Sequence, residues 1–201
     1  MRFLVVALFV FVLAPVANAQ LVDFDFVGNG GAGLLPGNEV GDNTSLGSNS
    51  TAIGGETGLG LVFDLGTNVL DVDFSFSDLD GGLLFAAASG IHLHLPTTPG
   101  DPFNQNGPIV FNLNSFSDNA VTNNTSQILD GATSGTVSAS IDFSNNLDLV
   151  DDLLAGEFYL NIHSQTFTGG ELRGTLAVPE PSSMTLLAMA FGSTAFFRRR
   201  R

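Results

Sequence analysis

Through the middle of the chain, apolar and polar residues alternate with a period of two. In "LDVDFSF", Leu70, Val72, Phe74 and Phe76 alternate with Asp71, Asp73 and Ser75. Such a run puts its apolar set on one face of a strand and its polar set on the other. Leu61, Phe63 and Leu65 alternate just upstream, and Gly66-Thr67-Asn68 between the two runs predicts a hairpin turn. The pattern returns in "TVSASIDF" through Val137, Ala139, Ile141 and Phe143. It returns again in "EFYLNIH" through Phe158, Leu160 and Ile162, and in "ELRGTL" through Leu172 and Leu176. One segment departs from it. "DLVDDLLAG" offers Asp148 as an N-cap, carboxylates in a first turn and Gly156 as a stop, and so predicts one short helix. The Gly-, Asn- and Ser-rich stretch from Gly28 to Gly60 reads as loop, with one strand near Leu34. These elements predict a mainly β body, an antiparallel β-sandwich with one short helix.

The two ends break the alternation. Arg2, the apolar run Phe3 to Leu13 and the small-residue site Ala17-Asn18-Ala19 before Gln20 read as a signal peptide over residues 1–19, handled by the Sec translocon and signal peptidase. At the other end Pro179-Glu180-Pro181 is followed by a largely apolar run, Ser182 to Phe197, and then by Arg198, Arg199, Arg200 and Arg201. The run predicts a transmembrane helix of roughly 24 Å at the usual helical rise. The arginines act as a stop-transfer cluster that stays on the cytoplasmic side. The sequence thus divides into residues 1–19, a body over residues 20–177 and a tail over residues 178–201.

Composition narrows the chemistry. There is no cysteine among the 201 residues, which excludes a disulfide framework and thiolate zinc sites. There is no lysine, and of the six arginines only Arg173 lies in the body. All 20 carboxylates except Glu180 lie in the body, and the net charge is −14. A surface this acidic repels nucleic-acid phosphates and favours cations. Within the body, "IHLH" puts His92 and His94 on one strand face and Ile91, Leu93 and Leu95 on the other. His163 ends the "FYLNIH" strand on the face of Tyr159 and Asn161. Three imidazoles from two strands make a candidate copper or zinc site. Arg173 is expected to be a structural cation paired with Glu171 and Glu39. Asp71, Asp73, Asp78 and Asp80, with the loop "SDLDGG", make a candidate for weak calcium binding without the EF-hand spacing. No Gly-x-Ser-x-Gly elbow occurs, and "GNGGAG" lacks the lysine of a phosphate loop. A pair of glycosidase carboxylates stays open, because spacing in sequence does not give spacing in space.

Four stretches in order resemble the chordin-type (CHRD) domain: "LLPGNEV" at Leu34 to Val40, "IHLH" at Ile91 to His94, "NGPIVFNL" at Asn106 to Leu113 and "FYLNIHSQTFTGGELRGTL" at Phe158 to Leu176. The resemblance implies an extracellular β-sandwich over about residues 34–176 and no catalytic mechanism. Val178 to Arg201 resembles the PEP-CTERM sorting signal. That resemblance implies a Gram-negative bacterium making extracellular polysaccharide, and an exosortase that recognises the tail and cleaves near Pro179 to Pro181. It also implies transient anchoring in the inner membrane before release to the cell envelope or extracellular matrix. The expectation is therefore an exported, non-enzymatic surface or matrix protein. The alternative is a periplasmic or surface metal-binding protein using His92, His94 and His163.

Overall fold

The computed structural model describes residues 20–40, 50–85, 90–113, 118–125 and 129–179. The signal peptide with Ala17 and Ala19, the expected membrane helix, Glu180, Pro181 and Arg198 to Arg201 lie outside them. Among the described residues no helix is long and apolar enough to cross a membrane.

Alternation builds the first strand, β1 (Leu21–Val27), which buries Phe24 and Phe26 and leaves Asp23 and Asp25 outside. The same rule gives β2 (Ile53–Asp64), β3 (Val69–Ser77), β4 (Ile91–His94), β5 (Ile109–Asn112), β6 (Val121–Thr122), β7 (Gly135–Asp142), β8 (Tyr159–Ile162) and β9 (Leu172–Ala177). All pairings are antiparallel, in the order β5-β4-β8-β9-β1-β2-β3-β7-β6. β1 belongs to both sheets. Its first half pairs with β2 and its second half with β9, so it carries the chain from one layer to the other. Among the described residues the result is a nearly closed sandwich whose strand order ends at β5 and β6. There Asn124 Nδ2 donates to the Leu113 carbonyl. The interior is phenylalanine-rich: Phe143 packs against Phe63, Phe111 and Phe158, and Phe26 meets Phe74 edge-on. Edge-to-face pairs of this kind add to the burial of ring area.

The predicted hairpin is present. β2 and β3 meet across a turn in which Asn68 takes a positive φ of 57° and donates to the Asp64 carbonyl. The helix is present as well, as α1 (Asp148–Leu154), and Gly156 follows it with a φ of 75°. Asp148 is not its cap: Leu147 holds that place without a side-chain hydrogen bond, and Asp148 and Asp151 occupy the first turn.

The loop expected up to Gly60 is corrected by β2, which begins at Ile53. This half of β2 is rich in glycine, so it carries little apolar alternation. One of its glycines, Gly54, is required by contact. A Cβ on Gly54 would stand 2.6 Å from the Ser75 carbonyl and 3.1 Å from Leu34 Cβ. Gly58 and Gly60 take positive φ in the irregularity between Glu56 and Leu61. Glu56 Oε1 accepts the Phe26 N–H beside this bulge, where β1 has already turned to β9. The segment near Leu34 is extended, as expected, and pairs on both sides. Leu34 bridges to Gly54 of β2 and Leu35 to Arg173 of β9, filling the place that β1 vacates after Val27.

Candidate metal centre

In the second sheet, β5-β4-β8-β9, the strands β4, β8 and β9 are buried on both faces. Ile91, Leu93, Leu160 and Ile162 point into the core. The opposite face is polar, with His92 beside Asn161 and Arg173 in one cross-strand row and His94 beside Tyr159 and Thr175 in the next. All of these residues are nonetheless buried, and the β4–β5 connection of residues 95–108 bonds to His94, Tyr159, Arg173 and Thr175. Polar side chains in such a layer need specific partners, because unpaired ones are costly.

The three histidines converge. Each offers one donor nitrogen, and the three nitrogens lie within 4.8 Å of one another. The His92 ring centroid lies 5.2 Å from that of His94 and 4.7 Å from that of His163. His94 Nδ1 lies 2.9 Å from the Gly107 carbonyl and His163 Nδ1 2.9 Å from the Thr168 carbonyl. A carbonyl only accepts, so both Nδ1 atoms carry the proton and both Nε2 atoms present a lone pair. His163 Nε2 is buried with no hydrogen-bond partner among the described residues. His94 Nε2 faces His92 Nδ1 at 3.3 Å. With the His94 proton on Nδ1, this contact is a hydrogen bond in which His92 Nδ1–H donates to His94 Nε2, and its length is also about the 3.3 Å edge of a coordination tetrahedron at zinc–imidazole distances.

Electrostatics favours the neutral, ligating form. Burial pulls His94 down to about 4, with the charges of His163 and Arg173 acting in the same sense and the Gly107 carbonyl opposing. Burial likewise lowers His163, against the Thr168 carbonyl. Backbone carbonyls that hold the far ring nitrogen are the usual outer support of a metal-bound histidine. The set of three imidazoles fits zinc or copper, with a fourth position for water or an exogenous ligand.

Arg173 is buried, as expected, but its partners are not those expected. Nη1 donates to Asn106 Oδ1 and Nη2 to the Pro102 and Gln105 carbonyls, each at 2.7 Å. Its Cζ sits 3.5 Å from the centroid of the Tyr159 ring. Among the described residues no ion pair joins it to Glu171 or Glu39. Glu171 instead accepts from the Ser50 hydroxyl at 2.5 Å and the Asp80 N–H at 3.1 Å, tying down the loop after β3. Glu39 feels Arg173 only through its field. Burial pushes its carboxyl up to about 8, with Arg173 opposing. Its Oε1 has no hydrogen-bond partner among the described residues. Gly170, at φ 125°, leaves room for both side chains, since a Cβ there would stand 2.7 Å from the Asn161 amide and 2.8 Å from Glu39 Oε1.

The aspartates do not gather as the calcium reading required. Asp71 accepts from the Ser140 hydroxyl at 2.6 Å, Asp78 from that of Ser77 at 3.1 Å, and the Asp80 backbone is held by Glu171. Among the described residues the histidines form the one group of three or more potential ligands that converges. Two site residues escaped the sequence reading, Gly107 and Tyr159. Gly107 donates to the Tyr159 hydroxyl at 2.9 Å while its carbonyl holds His94, and the Tyr159 ring stacks on His94 at 4.9 Å. Tyr159 was signalled by being the chain's single tyrosine, two residues from Asn161.

Comparison with known families places these features. The family model of the CHRD domain matches residues 32–176, and that of the PEP-CTERM protein-sorting motif matches residues 177–201. No curated protein and no solved structure matches the chain.

Proposed function

The chain belongs to the CHRD domain family, and from that premise and its PEP-CTERM motif we propose an envelope protein whose CHRD module holds one zinc or copper ion on His92, His94 and His163. The motif marks the chain for export through the envelope of a Gram-negative bacterium and for processing by an exosortase. One observation carries the metal reading. Two imidazoles from β4 and a third from His163, which follows directly after β8 rather than ending it, bring their donor nitrogens together, two of them with the far nitrogen fixed by a backbone carbonyl.

We read the module as binding rather than catalytic. A general acid or base works best with a pKa near the ambient pH. Here burial holds His94 near 4, which suits a ligand that stays neutral. An acidic body delivered to the cell surface or polysaccharide matrix would draw cations towards such a site.

The test is calorimetric titration of the metal-free protein with Zn²⁺ and Cu²⁺, beside His163→Ala. We expect one ion per chain and at least a tenfold weaker affinity in the variant. Equal, weak binding by both proteins would leave only the reading in which the three rings serve as hydrogen-bonded structural groups.

A further inference from the structure

We infer that Arg173 is the positioning residue of the histidine site and acts on His94 through Gly107; its consequence for affinity rests on the metal reading, its geometry does not. The guanidinium makes three 2.7 Å hydrogen bonds to the segment just before Gly107, at Pro102, Gln105 and Asn106. That segment then delivers one peptide unit to two targets. The Gly107 N–H reaches the Tyr159 hydroxyl, and the Gly107 carbonyl reaches His94 Nδ1, both at 2.9 Å. Only glycine can come this close, since a Cβ at residue 107 would stand 1.7 Å from the Leu95 carbonyl oxygen.

A second route runs through the aromatic ring. β8 lies between β4 and β9, so Tyr159 stands between the Arg173 guanidinium at 3.5 Å and the His94 imidazole, which lies parallel to it within 5°. The same cation thus sets both the plane of the His94 ring and the acceptor on its Nδ1. Together these determine which nitrogen holds the proton and where the Nε2 lone pair aims. A planar guanidinium can stack and donate from two nitrogens at once; an ammonium cannot. Arg173 is also the only cation in the body, so nothing nearby can take its place.

The experiment compares the full chain, metal-free and then with Zn²⁺ added, as wild type, Arg173→Lys and Asn106→Ala. Asn106 is exposed, so its variant keeps the test open even where Arg173→Lys fails to fold. Imidazole ¹⁵N spectra read the tautomer of each histidine directly. In the wild type we expect His94 locked as the Nδ1–H form. In the variants we expect averaged His94 nitrogens and a roughly tenfold or greater loss of zinc affinity. His163, tied to Thr168, should stay locked in all three, which separates positioning from general loosening. A locked His94 in both variants, or an averaged one in the wild type, would overturn the inference. A wild type that binds no zinc, with variants that still release His94, would uphold the positioning role and remove the metal reading.

Discussion

Glu39 shows how one buried side chain can set the pH response of the fold. Its carboxyl is desolvated, faces the fields of Arg173 and Tyr159, and is pushed up to about 8. In the unfolded chain a glutamate ionises near 4.5. Between that value and about 8, the unfolded state gives up a proton that the folded state retains, so stability falls as pH rises through this window. The span corresponds to a change on the order of 5 kcal/mol. His94 and His163 are shifted the other way and weaken the metal-free fold as pH falls below about 6.5. They are common to wild type and Glu39→Gln, so the difference between the two melting curves isolates Glu39. The variant should gain on the wild type from pH 5 to pH 8 and run parallel above it. A constant difference across that range would show that Glu39 is ionised in the fold.

At the scale of the element, β2 sets two adjacent glycines against each other. Gly54 is pressed against the Ser75 carbonyl and Leu34, whereas a Cβ on Gly55 would meet nothing within 4 Å. Neither has a positive φ, so the difference is one of space and not of backbone conformation. Gly54→Ala should cost about 1–3 kcal/mol by forcing β3 or Leu34 aside. Gly55→Ala should be neutral or stabilising by about 0.4–1 kcal/mol, through the unfolded chain. Urea unfolding of the two variants checks both signs, and equal effects would contradict the close contact with β3. A strand that needs such glycines shows no alternation, which is why this half of β2 is hidden in the sequence while β3, with its four phenylalanine, leucine and valine positions facing inward, is plain.

For the whole molecule the closing strand leads straight into the address. β9 ends at Ala177, Val178 is exposed, and the sorting motif is matched from residue 177. Cleavage by the exosortase should therefore leave the sandwich intact. Mass spectrometry of protein from the outer fraction of producing cells should find a chain ending between Pro179 and Pro181, and an intact Arg201 there would refute cleavage. The core strands, the helix and the shared face of His92 and His94 were legible in the sequence, because alternation and helical spacing are local and each states its own inner face. The burial of Arg173 could also be anticipated, from a lone cation in an acidic body. Its partners could not, since Pro102, Gln105 and Asn106 reach it only when the β4–β5 connection folds over the second sheet. Tertiary folding likewise decided that Glu171 serves the loop at Asp80, that Glu39 lies buried close to Asn161, and that among the described residues the aspartates form no converging group of three. Residue types and strand faces are properties of the chain; which polar groups meet across a sheet depends on register and loop closure, and those exist only in the folded molecule.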